Sequence, residues 1–346
     1  MAHSVSHPEF QNGRVNPYQL RTVAQELESI TIGTPAHFGG LTIFPLFRSG
    51  SMPQELAYNL LEEAVERGTA RVTELDGGGS VPDLRFENLG PKPVLLLDGE
   101  ELIGAKQNRV VNLTILAPAK QVIVIPVSCV EAGRWQVQTE DFRPAEHVMY
   151  ARGRAAKAAQ VSSSMAMGGG RQSDQSAVWN DIAFKSERLD ARSQTQAMKA
   201  MYDARVGSID AYLRTFVWTE QQAGLIFAIG TETMGMDLMD HPYAMQAMLP
   251  KLVRSYALDA IEAPHAAPVT AGAAAEFLHR VSKAELLIRP AVGIGEDVRL
   301  TGKGISGAAL WAEQRYVHLC AFTTKGSGNP AGFRTRISQP ARRRAR

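Results

Sequence analysis

Short apolar runs separated by polar turns dominate the first half of the chain. The densest block, residues 93–130, holds runs of four to eight mostly branched residues, interrupted by the sequences DGEE, GAKQN and APAK. Runs that are apolar on both faces are typical of strands covered on both sides, by a second sheet or by helices. We therefore predict a β-rich block over residues 70–137, preceded by two short strands within residues 30–47.

Helical periodicity appears on either side of this block. Ser51 is a suitable N-cap and Pro53 fits a first turn, so the apolar stripe from Leu56 to Val65 predicts a helix that Gly68 ends. Apolar spacings of three and four residues predict further helices within 193–216, 245–256 and 270–281. Strands are predicted at 225–230, 285–292 and 297–302, with a final hairpin over 308–323.

This order of elements predicts an α+β fold. We expect a β-sandwich or jelly-roll-like core that the C-terminal strands complete, with a helical insertion at about 146–262. The domain prediction is an N-terminal arm over 1–28, a single β-rich domain over 29–325 and a disordered arginine-rich tail over 326–346. The stretch SSSMAMGGGR at 162–171 favours a loop. The surrounding residues 146–190 could form either a lid or an insertion.

Composition narrows the class of protein. Of the 346 residues, 45% are hydrophobic and 21% charged, which is typical of a globular chain with a sizeable core. The two cysteines form no CxxC pair, the N-terminal segment lacks the pattern of a secretory leader, and no unbroken apolar run of about 18 residues occurs. A reducing, cytoplasmic location is expected. The tail holds six arginines and no acid, which leaves a net charge of −4 on residues 1–325.

A polar cluster interrupts the most apolar part of the predicted sheet. Its members are Asp98, Glu100, Glu101, Lys106, Gln107, Asn108 and Arg109. Burial without a partner costs about 1–3 kcal/mol for a polar group and more for a charge, so these side chains must face water, each other or a ligand. Two interpretations stay open: a solvated turn with an internal Glu–Arg pair, and a ligand site.

A second cluster follows in the sequence VSCVEAGRW at 127–135. Arg134 is suited to bind a carboxylate or phosphate, and Trp135 to stack on a flat ring, which together favour a nucleotide-like ligand. Cys129 is either a nucleophile or a small buried apolar residue, and the second is favoured because free cysteines are among the most buried residues. Glu131 is either an acid–base group or the ion-pair partner of Arg134.

His318 lies two residues before Cys320, so both side chains point to one face of a strand. A pair between His318 and Cys129 is conceivable, but a hydrogen-bonded core histidine is favoured because no sequence feature brings the two together. The eight histidines show no metal-ligand spacing, and the glycine-rich stretches match no phosphate-binding motif. We expect no metal and no cofactor.

Five segments resemble a family named for its genomic association, the ADP-ribosylglycohydrolase and rhodanese-phosphatase superfamily associated protein domain family. They are GLTIFPL at 40–46, DGEELIGAKQNRVVN at 98–112, PVSCVEAGRW at 126–135, SDQSAVW at 173–179 and VHLCAF at 317–322. The resemblance implies association with enzymes that process ADP-ribose and phosphate esters. The matching polar positions are Glu100, Glu101, Gln107, Asn108, Arg109, Ser128, Cys129, Glu131, Arg134, Trp135, Gln175, Trp179 and His318.

Two classes of function fit these features. One is a metal-independent hydrolase or transferase acting on an ADP-ribose-like, NAD-derived or phosphorylated small molecule; the other is a non-catalytic sensor of such a ligand, or an adaptor for a partner enzyme. Candidate catalytic residues are Glu101, Glu131, Cys129 and His318. Candidate ligand-binding residues are Glu100, Gln107, Asn108, Arg109, Arg134, Trp135, Gln175 and Trp179. A small molecule is the expected partner, and neither a membrane nor nucleic acid is expected.

Overall fold

The computed structural model describes residues 22–50, 55–75, 82–231, 233–263 and 267–324. The helices of this part are α1 (Val23–Glu28), α2 (Leu61–Glu66), α3 (Ala151–Ala166), α4 (Gln175–Arg188), α5 (Lys199–Ala204), α6 (Val206–Thr215), α7 (Pro242–Ala260) and α8 (Ala271–Ser282). Its strands up to residue 148 are β1 (Ile30–Ile32), β2 (Ala36–Phe38), β3 (Leu41–Arg48), β4 (Asn59–Leu60), β5 (Ala70–Thr73), β6 (Asp83–Asn88), β7 (Val94–Leu96), β8 (Glu100–Gly104), β9 (Arg109–Val111), β10 (Ile115–Ala117), β11 (Gln121–Cys129) and β12 (Phe142–Val148). The later strands are β13 (Gln222–Ile229), β14 (Thr233–Met239), β15 (Glu285–Pro290), β16 (Glu296–Gly302), β17 (Ile305–Ala312) and β18 (Arg315–Thr323). Mixed helix and antiparallel sheet confirm the α+β class.

The largest sheet joins the two ends of the domain. Its strand order is β1–β3–β13–β14–β18–β17–β16–β15, with β2 added beside β3. Strand β13 is buried along its whole length because both faces of the sheet are covered. Its side chains alternate between two cores: Phe227 packs in the one that α7 contributes to, and Ile226 in the one beneath α8.

The predicted β block of residues 70–137 forms most of the other two sheets, and β4 and β12 join them from outside this range. The six-stranded sheet has the order β12–β8–β9–β11–β6–β5, and the three-stranded sheet has the order β10–β7–β4. Their shared core includes Phe86, Leu96 and Val127, all buried, together with Leu61 of α2. The C-terminal strands thus extend the sheet begun by β1–β3, whereas the polar clusters lie in the smaller sheets.

The prediction of a helix that starts at Ser51 is wrong for the described residues before Leu61. Ser51 and Pro53 lie outside the described residues, and α2 begins only at Leu61. The residues just before it are extended: Asn59 donates its amide N–H to the Pro93 carbonyl at 2.9 Å and starts a parallel pair with β7. Pairing with a distant strand has overridden the local helical pattern.

The insertion predicted at about 146–262 is helical only in part. Helices α3 to α6 and α7 do lie in this range, but β13 and β14 lie there too and form the middle of the nine-stranded sheet. This range therefore supplies central strands of the core. The predicted loop at 162–171 begins later than expected, because α3 continues to Ala166.

The C-terminal hairpin is confirmed. Strands β17 and β18 pair in antiparallel register across a two-residue turn at Glu313 and Gln314. Both turn residues have positive φ, 50° and 64°, as a type I′ hairpin turn requires. None of the described helices combines the length and apolar character needed to cross a membrane. Both cysteines are buried free thiols.

Candidate functional site

Strand register brings the two polar clusters together. β9 pairs with β11 so that Arg109 lies directly opposite Cys129. Residues directly opposite in an antiparallel pair project from the same face. The QNR turn at 107–109 and the sequence CVEAGRW at 129–135 therefore form one centre, which we call the Arg109 centre.

Gln107 and Asn108 hold the two clusters in contact. The Gln107 side chain donates to the Glu131 carbonyl at 2.9 Å, and its oxygen accepts from Arg109 Nη1 at 3.1 Å and from the Cys129 thiol at 3.2 Å. The Asn108 amide N–H donates to the Glu131 carboxylate at 3.1 Å. Both side chains are buried, so these amides position the charged groups around them.

The Arg109 guanidinium is incompletely paired. Its side chain is fully buried, and Nη1 donates to the carbonyl and side-chain oxygens of Gln107. Its Nε and Nη2 find no acceptor among the described residues, and no other described side chain has two shielded donors in this state. Burial lowers the pKa of Arg109, against the opposing influence of Cys129 and Glu74.

Helix α4 covers Cys129. The Gln175 side chain accepts from the Cys129 amide N–H and donates to its carbonyl, both at 2.8 Å. The indole N–H of Trp179 lies close enough to the thiol to lower its pKa, yet makes no hydrogen bond of ordinary geometry with a described residue. Burial nevertheless raises the pKa of Cys129, and Arg109 opposes this without cancelling it. The thiol is therefore protonated at neutral pH.

Glu131 and Arg134 form a buried ion pair at 2.6 Å. Arg134 also donates to the Ala105 carbonyl at 2.6 Å and to the Asn108 side chain at 3.0 Å. Burial alone would raise the pKa of Glu131, but hydrogen bonds from Arg134, Thr195 and the Asn108 amide hold it below its ordinary value. Glu131 is thus ionised and fixed in place.

Glu101 lies behind the Arg109 centre. Its carboxylate accepts from Asn108 Nδ2 at 3.2 Å and contacts His147 Nε2 at 2.6 Å. The His147 ring stacks on Tyr202 at 3.7 Å between centroids. Glu100 points elsewhere, to the Lys251 ammonium at 3.1 Å. Glu101 therefore acts on the site through Asn108, and Glu100 lies outside it.

Trp135 is the exposed member of the centre. Its side chain is 48% exposed, and its ring lies 5.9 Å from the Arg109 guanidinium and 5.2 Å from Lys106 Nζ. These distances are typical of cation–π contacts. An exposed aromatic face beside a buried arginine is suited to stack on a flat ligand group.

His318 belongs to a different polar centre. Its Nδ1 lies 2.8 Å from Thr114 Oγ1 and its Nε2 lies 3.1 Å from Asp237. Asp237 also accepts two hydrogen bonds from Arg154, at 2.7 and 3.1 Å, and one from Tyr256. His318 is thus the hydrogen-bonded core histidine that the sequence favoured, and no contact joins it to Cys129.

The His318 centre also contains a possible metal-ligand set. Ligand atoms of Asp237, His318 and Cys320 lie within 4.8 Å of one another. Burial raises the pKa of Cys320 to about 12, so this thiol keeps its proton. The Asp237 carboxylate already accepts from Arg154, whose fixed charge repels a cation. These residues therefore suit a hydrogen-bonded ion-pair network better than a metal.

Sequence reasoning missed several residues of these centres, among them Glu74, His147 and Asp237. Glu74 follows the short strand β5, and Asp237 lies in the sequence MGMDLM, where a lone acid in an apolar run was the available signal. His147 follows a polar stretch and carried no comparable signal.

The fold and the Arg109 centre together define an α+β protein with a buried arginine–amide–thiol site between strand ends and a covering helix. The chain belongs to the ARG and Rhodanese-Phosphatase-superfamily-associated Protein domain family, whose model matches residues 29–322. Comparison with curated proteins and with solved structures found no match.

Proposed function

We propose that this protein is a metal-independent hydrolase or transferase whose substrate is an anionic small molecule, ADP-ribose-like or phosphorylated, bound at Arg109. The observation that carries the proposal is the buried Arg109 guanidinium with two unpaired N–H groups among the described residues. An unmade buried hydrogen bond costs about 1–3 kcal/mol, and more for a charged group. Phosphate or carboxylate oxygens would satisfy this planar fork of donors.

Neighbouring side chains would complete the binding site. Trp179 offers an additional unpaired N–H, and Trp135 offers an exposed ring for a base or another flat group. Because Arg109 is fully buried, a ligand must displace a covering side chain to reach it. Trp135 suits this role, since exposed side chains change rotamer readily.

Proton transfer would fall to Glu131 and Cys129. The ionised Glu131 carboxylate can accept a proton and the protonated Cys129 thiol can donate one. Arg109 would stabilise negative charge that develops on the ligand. Glu101 and Asn108 would position these groups, and His318 would take no direct part.

A specific observation favours the non-catalytic sensor as the second candidate. The Glu131 carboxylate is held by the Arg134 side chain and the Asn108 amide N–H, the Glu101 carboxylate by the Asn108 and His147 side chains, and burial keeps Cys129 protonated. A site that binds an anion but holds its acid–base groups in such contacts suits recognition without chemistry. The two functions share the ligand and differ only in turnover.

Incubating the purified protein with ADP-ribose and with NAD, while following melting temperature and product formation, tests both candidates. Ligand is expected to raise the Tm of the wild type and of Arg289→Met, an exposed arginine on β15, but not of Arg109→Met. The Tm of Arg109→Met without ligand should equal or exceed the wild-type value, because a desolvated charge is removed.

Product formation that Arg109→Met abolishes would support the enzyme. A thermal shift without product would support the sensor. An Arg109→Met protein that keeps the full ligand shift, or a wild type that shows neither shift nor product, would contradict the proposal.

A further inference from the structure

Glu74 carries an unused acceptor next to the Arg109 centre. It follows β5, and its Oε1 accepts from the Lys106 amide N–H at 3.4 Å. Its Oε2 is shielded from solvent and has no hydrogen-bond partner among the described residues. Every other shielded, unpartnered side-chain atom in this part of the chain is a nitrogen, so Glu74 supplies the one carboxylate oxygen in this state.

Glu74 and Arg109 influence each other without touching. The Glu74 charge acts to raise the pKa of Arg109, against the larger effect of burial. No ion pair within 4.0 Å joins these two described side chains, although both carry unpaired polar atoms. Two opposite charges left apart in this way can be satisfied together by one ligand that has an acceptor at one end and a donor at the other.

A cavity opens on the Glu74 side. It has a volume of about 510 Å³, and its lining includes Glu74, Lys106, Arg71, Arg85 and Glu140. This volume is in the range of about 300–1,000 Å³ common for small-molecule sites. Lys106 joins the cavity to the Arg109 centre, because Lys106 and Arg109 approach the same Trp135 ring. Lys106, Arg71 and Arg85 bring positive charge to this lining, where Arg71 also pairs with Glu140 and Asp141, and Arg85 with Glu87.

We infer that Glu74 and Arg109 bind opposite ends of one ligand: Arg109 binds an anionic group, and Glu74 accepts a hydrogen bond from a hydroxyl group. This inference rests on the anion site of the proposed function and narrows its ligand class to phosphorylated sugars or nucleotides with free hydroxyls. A carboxylate that accepts a hydrogen bond from a ribose hydroxyl is used in this way by dinucleotide-binding sites of the Rossmann type. A simple inorganic anion would leave the Glu74 oxygen unpaired and would be repelled by its charge.

Calorimetric titration with AMP, 2′,3′-dideoxy-AMP and inorganic phosphate tests this inference. The proteins are the wild type, Glu74→Met, Glu74→Gln and the matched control Glu140→Met, whose side chain lines the same cavity but is 91% exposed. The wild type should bind AMP at least about tenfold more tightly than 2′,3′-dideoxy-AMP, as a hydrogen bond to a charged acceptor provides. Glu140→Met should keep this preference and Glu74→Gln part of it.

Glu74→Met should lose the preference for AMP while binding phosphate as tightly as the wild type or more tightly. Damage to the fold would instead weaken the binding of both AMP and phosphate. A loss of affinity for AMP without a loss of affinity for phosphate therefore identifies a hydroxyl contact. A preference for AMP that survives in Glu74→Met, or that the wild type lacks, overturns the inference. Failure of the proposed function gives a different result. If the ligand binds but is not turned over, the proposed catalysis is wrong and the inference about Glu74 stands. If an anion binds at Arg109 but the Glu74 variants bind AMP as the wild type does, only the inference about Glu74 is wrong.

Discussion

At the scale of single residues, two buried arginines of this protein behave differently. Arg154 is fully buried, with two bonds to Asp237 and a third to Asp98 at 3.3 Å. Arg109 is equally buried but has only Gln107 oxygens as acceptors. Buried polar groups are nearly always satisfied, so the unpaired arginine is the one that requires an explanation beyond folding.

The thiols give a test at the same scale. Burial raises the pKa of Cys129 and of Cys320, so neither is a thiolate at neutral pH. We expect a disulfide reagent such as dithionitrobenzoate to label neither thiol of the native protein at pH 7.5 within minutes, and both after unfolding in guanidinium. Cys129→Ala identifies the site of any label. Rapid native labelling that this variant removes would contradict the expectation and favour a nucleophilic Cys129.

At the scale of elements, α3 fastens the smaller sheets to the large one. Arg154 and Lys157 are one turn apart on this helix and both pair with Asp98, which lies between β7 and β8. Arg154 also reaches Asp237 in β14 of the nine-stranded sheet. One helix therefore ties strands of two sheets together through fully buried charges.

Asp98, Arg154, Lys157 and Asp237 form one buried charge cluster. Removing one of its charges should lower the free energy of unfolding more than removing two opposite charges together. Lys157 also donates to the carbonyls of Val111 and Asn112, both at 2.9 Å, and Lys157→Met would remove both bonds; the Val111 carbonyl would keep only the Gly99 amide N–H. We expect Lys157→Met to lower the free energy of unfolding in urea by about 3–5 kcal/mol, as breaking a buried ion pair does. Adding Asp98→Asn should recover part of that loss. Equal stability of Lys157→Met and wild type would show that the cluster is not what fastens α3.

At the scale of the whole molecule, buried carboxylates make stability depend on pH. Burial would raise the pKa values of Asp98 and Asp237. Lys157 and Arg154 nevertheless hold the pKa of Asp98 below its ordinary value, and Arg154 does the same for Asp237. A lowered folded-state pKa stabilises the protein above the unfolded-state value of about 3.9, and that contribution is lost as pH falls through and below it.

We therefore expect the free energy of unfolding to be nearly constant from pH 7 to 5 and to fall steeply below about pH 4. Urea titrations at several pH values measure this. The Lys157→Met, Asp98→Asn double variant should show a shallower fall, because one of the low-pKa carboxyls is gone. A free energy that stays constant down to pH 3 would contradict the assignment of these ionised groups.

The sequence by itself determined the α+β class, the hairpin at 308–323 and the helices at 245–256 and 270–281. These depend on periodicity and turn chemistry within a few residues, which local sequence carries. It also placed most polar members of the Arg109 centre on two short segments.

Only the tertiary structure decided which segments meet. Strand β13 pairs with β3 across about half of the chain, Asn59 joins a strand instead of a helix, and the register of β9 with β11 sets Arg109 opposite Cys129. The same long-range packing places His318 against Asp237 and brings Glu74 near enough for its charge to act on the pKa of Arg109. Such pairings are selected by how whole faces bury against one another, a quantity that no local window of sequence contains.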